Sequence, residues 1–144
     1  METVWMGQVA SGKGEAARFI RLEPVARRLT ARLGSPPYPG TLNLVLPDTS
    51  DWVHWLYQLS WERWENLGEG ICAADAFSVQ VGGEPAVAIR PLLAGYPSRL
   101  LEVAAARHLR SFLGVVDGDW LAIAPGPQFE ARSGNIRDGR GPNI

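Results

Sequence analysis

Thr41 and Asn43 stand two residues apart in the stretch Leu33-Gly-Ser-Pro-Pro-Tyr-Pro-Gly-Thr-Leu-Asn-Leu-Val-Leu46. On an extended chain a hydroxyl and a carboxamide at this spacing project from one face, about 6–7 Å apart between Cα atoms. Two neutral oxygen donors of this kind suit a magnesium ion whose other ligands are water and nucleotide phosphate. The same alternation also fits a strand whose polar face is simply wet.

Three other groups of residues have chemistry to offer. In Gly12-Lys13-Gly14-Glu15 two glycines let successive backbone N–H groups converge on an anion, and Lys13, the sole lysine, adds a point charge. The spacing matches neither a Walker loop nor a dinucleotide fingerprint, and a glycine-rich hairpin turn is the plainer alternative. Arg107-His108-Leu109-Arg110 sets two cations three residues apart, neighbours on a helical turn or members of a solvated helix face. Glu102 lies in an otherwise apolar run, where a carboxylate needs a partner or ligand unless it marks a strand's solvent side.

The elements that must position these groups follow from the pattern. Pro36, Pro37 and Pro39 have fixed φ and donate no backbone hydrogen, so residues 35–40 read as a rigid loop. Leu42, Leu44 and Leu46 then face one way along a strand from Thr41 to Leu46. Upstream, Thr3 to Ala10 reads as a strand, Phe19-Ile20 begins a second, and Val25, Leu29 and Leu33 mark a helix from Pro24 to a stop at Gly34. Trp52, Trp55, Leu56 and Leu59 match one helical face, and Trp61 and Trp64 continue the aromatic content, a tryptophan stripe typical of core packing. Cys72 to Val81 and Ala86 to Ile89 flank Gly82-Gly83 as a hairpin. Leu100 to Arg110 fits helix or strand, and Asp117-Gly118-Asp119 is a turn before a last strand, Trp120 to Ala124. About six short strands with two or three short helices favour a small barrel over a doubly wound sheet.

Composition narrows the classes. With 144 residues, 46% hydrophobic content and a formal net charge of −1, the chain reads as an ordinary globular domain with one core. No broad basic surface supports nucleic-acid binding, and no apolar run approaches membrane-spanning length. A single cysteine, Cys72, excludes an internal disulfide and fits a reducing, cytoplasmic setting. From Pro125 glycine, proline and charge replace apolar periodicity, so residues 125–144 read as a flexible tail on a domain spanning 1–124.

Taken together, the blocks Gly7-Gln-Val-Ala-Ser-Gly-Lys-Gly-Glu15, Leu33-Gly-Ser-Pro-Pro-Tyr-Pro-Gly-Thr-Leu-Asn-Leu44, Leu101-Glu-Val-Ala-Ala105, Leu109-Arg110 and Asp117-Gly-Asp119 resemble the CTP-dependent riboflavin kinases of archaea. They occur in the family's order over about residues 4–124, and the Pro-Tyr-Pro-Gly-Thr-Leu-Asn-Leu block is highly specific. The resemblance implies a mainly β fold, a six-stranded cradle-loop barrel, and resolves Leu100 to Ala105 as a strand followed by a short helix. It implies transfer of the CTP γ-phosphate to the 5′-hydroxyl of riboflavin, giving FMN and CDP, with Mg²⁺ as cofactor.

Carried over by residue, Gly12, Lys13, Gly14, Glu15, Ala16 and Ala17 match the first nucleotide-binding loop, and Arg107, His108, Leu109 and Arg110 the second segment. Thr41 and Asn43 match the magnesium ligands. Glu102 matches a flavin-contacting glutamate that would orient, and as catalytic residue deprotonate, the acceptor hydroxyl. Ala94 and Tyr96 fall on the acceptor side. Asp117 and Asp119 read as turn formers.

The chain also departs from the pattern: Ala16 and Ala17 replace a glycine-bearing continuation, and Ala106 replaces a proline. Pro91-Leu-Leu-Ala-Gly-Tyr96 puts Ala94 where the flavin-binding threonine belongs and Tyr96 in place of a histidine. The expected acceptor is therefore riboflavin or another small alcohol. A non-catalytic nucleotide- or flavin-binding module is the alternative from another class. A DNA-binding barrel would need a basic face that the charge balance does not suggest.

Overall fold

The computed structural model describes residues 2–127; most of the expected tail, from residue 128 onward, lies outside them. Seven strands run β1 Trp5–Ala10, β2 Leu42–Val45, β3 Trp61–Trp64, β4 Ala74–Val81, β5 Glu84–Pro91, β6 Leu100–Ala104 and β7 Trp120–Pro125. Four helices, α1 Ala16–Arg21, α2 Glu23–Leu33, α3 Asp51–Leu56 and α4 Leu109–Leu113, connect them. Six strands form a ring in the order β4-β5-β6-β2-β1-β7, and β7 closes it by pairing Val79 with Pro125 and Val81 with Ile123. Every pairing is antiparallel, and closure removes the bare edges that an open sheet would present. The expected six-stranded barrel is present, with β3 as a seventh strand on the first half of β4.

Alternation along the strands divides the apolar residues between two cores. Leu42, Leu44, Leu101, Val103, Phe77 and Val79 point into the barrel, where Trp52 and Leu56 of α3 join them. Gly7 also faces inward, and a Cβ there would lie 3.0 Å from that of Leu44, so glycine lets β1 and β2 approach. On the outer wall, Ala74, Ala76, Val87, Ile89 and Ala104 are covered by Ile20, Val25 and Leu29 of α1 and α2. A barrel clothed by helices on one flank has a sheltered outer surface there.

Local signals explain most element ends. Glu23 and Pro24 open α2, and Gly34 ends it in the left-handed region at φ 81°. At the β4–β5 hairpin Gly82 and Gly83 have φ of 59° and 84°, as a two-residue turn of the primed type requires. Leu100 to Arg110 resolves as β6 followed by the start of α4.

Two expectations are corrected. Phe19-Ile20 lies in α1, because Ile20 is buried against the outer wall and that packing outweighs its β preference. The helical face read as far as Leu59 stops at Leu56, and Trp61 and Trp64 form a separate strand, β3. The chain leaves α3 after Leu56, and the Ser60 carbonyl accepts the Ser78 N–H at 2.9 Å, which docks residues 61–64 onto β4.

Candidate functional site

Strand register assembles the site from distant parts of the sequence. Asn43 of β2 is paired with Ala10 of β1 on one side and Glu102 of β6 on the other, and Glu102 is paired with Ile89 of β5. This row lies on the outer wall, since the neighbouring Leu42, Leu44, Leu101 and Val103 take the interior. Over it opens a cleft of about 1350 Å³, bounded by residues 10–17, the proline loop, residues 70–72, the β5–β6 loop and the start of α4. That volume accommodates two small-molecule substrates side by side.

The centre of the row is an oxygen cluster. Thr41 Oγ1 donates to Glu102 Oε1 at 2.9 Å and lies 3.5 Å from Asn43 Oδ1. With its proton committed to Glu102, the Thr41 hydroxyl has lone pairs to spare, and Asn43 presents a carbonyl oxygen beside it. The Asn43 amide nitrogen packs over Gly12, where an added Cβ would collide with it, so the bare glycine seats the carboxamide. Among the described residues no group of three or more His, Cys, Asp or Glu side chains is placed to hold a metal ion. The Thr41 and Asn43 oxygens, side by side, are donors of the kind that a hard divalent cation with mostly water and phosphate ligands would accept.

Tyr96, from the β5–β6 loop, donates its phenol hydroxyl to Glu102 Oε2 at 2.5 Å. Burial, and then the Glu102 carboxylate, push the Tyr96 phenol well above the usual tyrosine range, so it stays protonated as a donor. Both oxygens of Glu102 thus accept hydrogen bonds from hydroxyls. Ala94, expected beside the acceptor, is exposed on the turn before Tyr96 and does not line the cleft.

The two segments expected to bind nucleotide lie along the same cleft. Gly12, Lys13, Gly14, Glu15, Ala16 and Ala17 form one rim, with Ala16 and Ala17 already in the first turn of α1. Arg107, His108, Leu109 and Arg110 form another, with the Leu109 side chain also packed into the barrel core. The Arg107 guanidinium lies over the Phe112 ring, 4.1 Å from its centroid. His108 stacks on Tyr38 with centroids 4.5 Å apart, and the Tyr38 N–H donates to the Ala105 carbonyl at 2.8 Å, which ties the proline loop to the end of β6.

Asp117 does more than make a turn. Its carboxylate accepts the Ser11 hydroxyl at 2.6 Å and pairs with Arg110 at 2.9 Å, linking both rims. These two partners, Ser11 first, hold its carboxyl below the usual aspartate range. Asp119 keeps the expected role, accepting the Val116 N–H at 2.9 Å. The turn itself is pinned to β1 by Gly118 N–H to the Val9 carbonyl and Val9 N–H to the Asp119 carbonyl, both 2.8 Å. The clue available in sequence was a pair of aspartates where one suffices for the turn.

A closed antiparallel ring with a substrate-sized cleft on its outer wall is a riboflavin-kinase-like barrel. The family model for CTP-dependent riboflavin kinases, described as "Domain of unknown function DUF120", matches residues 9–124. The riboflavin kinase of Archaeoglobus fulgidus is 34% identical over 124 residues, covering 81% of this chain and 52% of the relative. That of Pyrobaculum arsenaticum is 36% identical over 122 residues, covering 82% and 58%. That of Aeropyrum pernix is 32% identical over 121 residues, covering 81% and 90%. The chain belongs to the CTP-dependent riboflavin kinase family. It spans little more than half the length of several relatives it matches, the first two above included. Among the described residues no helix is long and apolar enough to cross a membrane.

Proposed function

We propose that this chain is a magnesium-dependent phosphotransferase that moves the γ-phosphate of CTP to the 5′-hydroxyl of riboflavin, giving FMN and CDP in the cytoplasm. The observation that carries the reading is the convergence of Thr41, Asn43 and Glu102 on one row beneath a cleft rimmed by a glycine-lysine loop and an arginine segment. The names of the family and of its relatives supply the donor and the acceptor.

Phosphoryl transfer asks a protein chiefly for positioning and charge neutralisation. The backbone of Gly12 to Ala17 and the Lys13 ammonium would bind the phosphate chain, with Arg107 and Arg110 on the opposite rim. Thr41 and Asn43 would hold the magnesium ion, which when bound neutralises charge on the phosphates. Glu102 would orient the acceptor hydroxyl and receive its proton as the new P–O bond forms and the bond to the CDP oxygen breaks. The apolar Leu93 on the cleft, with Tyr96 in place of the family's histidine, leaves another small alcohol as the alternative acceptor.

The test is product analysis with γ-labelled CTP or ATP, Mg²⁺ and a panel of alcohols that includes riboflavin. Label is expected in FMN, with CTP the better donor. Transfer from neither nucleotide to any alcohol would overturn the reading. Equal use of ATP would remove the donor assignment.

A further inference from the structure

Of the two hydroxyls on Glu102, one comes from the start of a strand and the other from a loop. Thr41 immediately precedes β2 and reaches Glu102, the partner of Asn43 in the strand pairing. Tyr96 comes from a loop whose preceding residues, Leu92 to Gly95, are all exposed. Gly95, at φ 83° beside Tyr96, has no Cβ and so can adopt backbone conformations closed to other residues. The loop is tied to its surroundings at Leu92, whose N–H donates to the Ala73 carbonyl at 2.8 Å, and at Arg99, whose carbonyl accepts the Leu46 N–H and whose Nε donates to the Leu46 carbonyl, both at 2.8 Å; within it the Tyr96 N–H donates to the Leu93 carbonyl at 3.1 Å. Between those ties the Tyr96 side chain reaches into the cleft, and its hydroxyl rests on Glu102 Oε2.

A phenol O–H on a carboxylate presents the same donor chemistry as a substrate alcohol. We propose that Tyr96 is an acceptor gate: its hydroxyl stands on Glu102 Oε2 in place of the substrate's and yields that oxygen when an alcohol acceptor enters. This rests on the reading of the cleft as a phosphotransfer site with Glu102 facing the acceptor. The exchange is one hydroxyl for another, so the half-buried carboxylate never loses a partner and the swap costs little. A flavin without side-chain hydroxyls has nothing to trade for Tyr96, and selectivity for an alcohol arises at the binding step. The closed state lowers the apparent affinity for the acceptor in proportion to its population.

The experiment compares riboflavin with lumiflavin, which carries the same ring system without the ribityl hydroxyls, by flavin fluorescence titration. The proteins are the unmodified chain and Tyr96→Phe, the latter checked for fold by far-ultraviolet circular dichroism. Tyr96→Phe should tighten riboflavin roughly fivefold or more and leave lumiflavin within about twofold of its original affinity. In the unmodified protein riboflavin, and not lumiflavin, should speed amide exchange over residues 92–99. If Tyr96→Phe leaves riboflavin affinity unchanged or weakens it, Tyr96 is a positioning residue for Glu102 or an acceptor contact, and the gate is wrong. Equal tightening of both flavins also overturns it, because the phenol would then obstruct the ring rather than compete with a hydroxyl. Exchange over residues 92–99 that riboflavin leaves unaltered overturns it independently of the variant. Riboflavin bound by neither protein would instead remove the acceptor reading beneath it.

Discussion

Thr41, Asn43 and Gly12 act as a set. The Thr41 hydroxyl gives its proton to Glu102, and the Asn43 carboxamide is seated by the missing side chain of Gly12. Thr41→Val and Asn43→Leu each remove one oxygen and keep approximate size. Each should cut phosphotransfer by at least about tenfold, equivalent to roughly 1.4 kcal/mol of transition-state stabilisation. Steady-state rates across a magnesium series check this; activity within about twofold of the unmodified protein in both variants would make the polar face merely wet. Thr41 and Asn43 were legible because alternation with Leu42, Leu44 and Leu46 fixes which side chains share a face. Their meeting with Glu102 was not derivable from local pattern, since it depends on a pairing between strands about sixty residues apart. Asp117 was read as a turn former alone because its partner Ser11 lies 106 positions away.

At the scale of elements, the turn before β7 is coupled to the loop after β1 through Ser11, Asp117 and Arg110. Asp117 is exposed, so this tie steadies a rim rather than stabilising the fold. Asp117→Ala should raise the KM for CTP about threefold, with less effect in high salt, where exposed ion pairs are screened. Because partners depress the Asp117 pKa in the folded chain, the tie is complete above the ordinary aspartate value and is lost as pH falls through the depressed one. CTP affinity in the unmodified protein should accordingly weaken at that acidic end, and Asp117→Ala should lose this dependence. A KM unchanged by the substitution at low salt would show that the rims hold themselves. The mistaken strand at Phe19-Ile20 belongs to this scale as well: two adjacent apolar residues carry no period, and only the wall they pack on decides between helix and strand.

Across the whole molecule, the wholly buried Asp75 joins β4 to the segment running from α3 into β3. Arg63 of β3 grips it with two hydrogen bonds of 2.7 and 3.0 Å, and Tyr57 donates its hydroxyl to the same carboxylate. Arg63 keeps about half its side chain in solvent, so the cost of breaking this pair falls below that of a fully buried one. Asp75→Ala should destabilise by about 1–3 kcal/mol, the range for a buried polar group losing its partner, read as a lower melting temperature. Burial, then Asp75, raise the Tyr57 pKa, so its stabilisation is complete below the ordinary tyrosine value and fades as pH rises through the raised one. Tyr57→Phe should therefore flatten the alkaline limb of the melting curve against pH; an unaltered limb would assign that limb to other groups. The barrel class was legible from strand count and turn spacing. Strand β3 was not, because Trp61-Glu62-Arg63-Trp64 carries no clear alternation and only docking onto β4 makes it a strand.

The keystone of the ring is β7, which pairs with β1 on one side and with the far half of β4 on the other. Among the described strands it is the last to leave the ribosome, so β1 through β6 must wait as an unfinished sheet with two sticky margins. The turn that carries Asp117 leads directly into that strand, and its bonds to β1 continue the same seam. Assembly of the cleft and sealing of the barrel should thus be a single late event, fluorescence of a bound nucleotide analogue rising no earlier in refolding than protection of the β4–β7 amides.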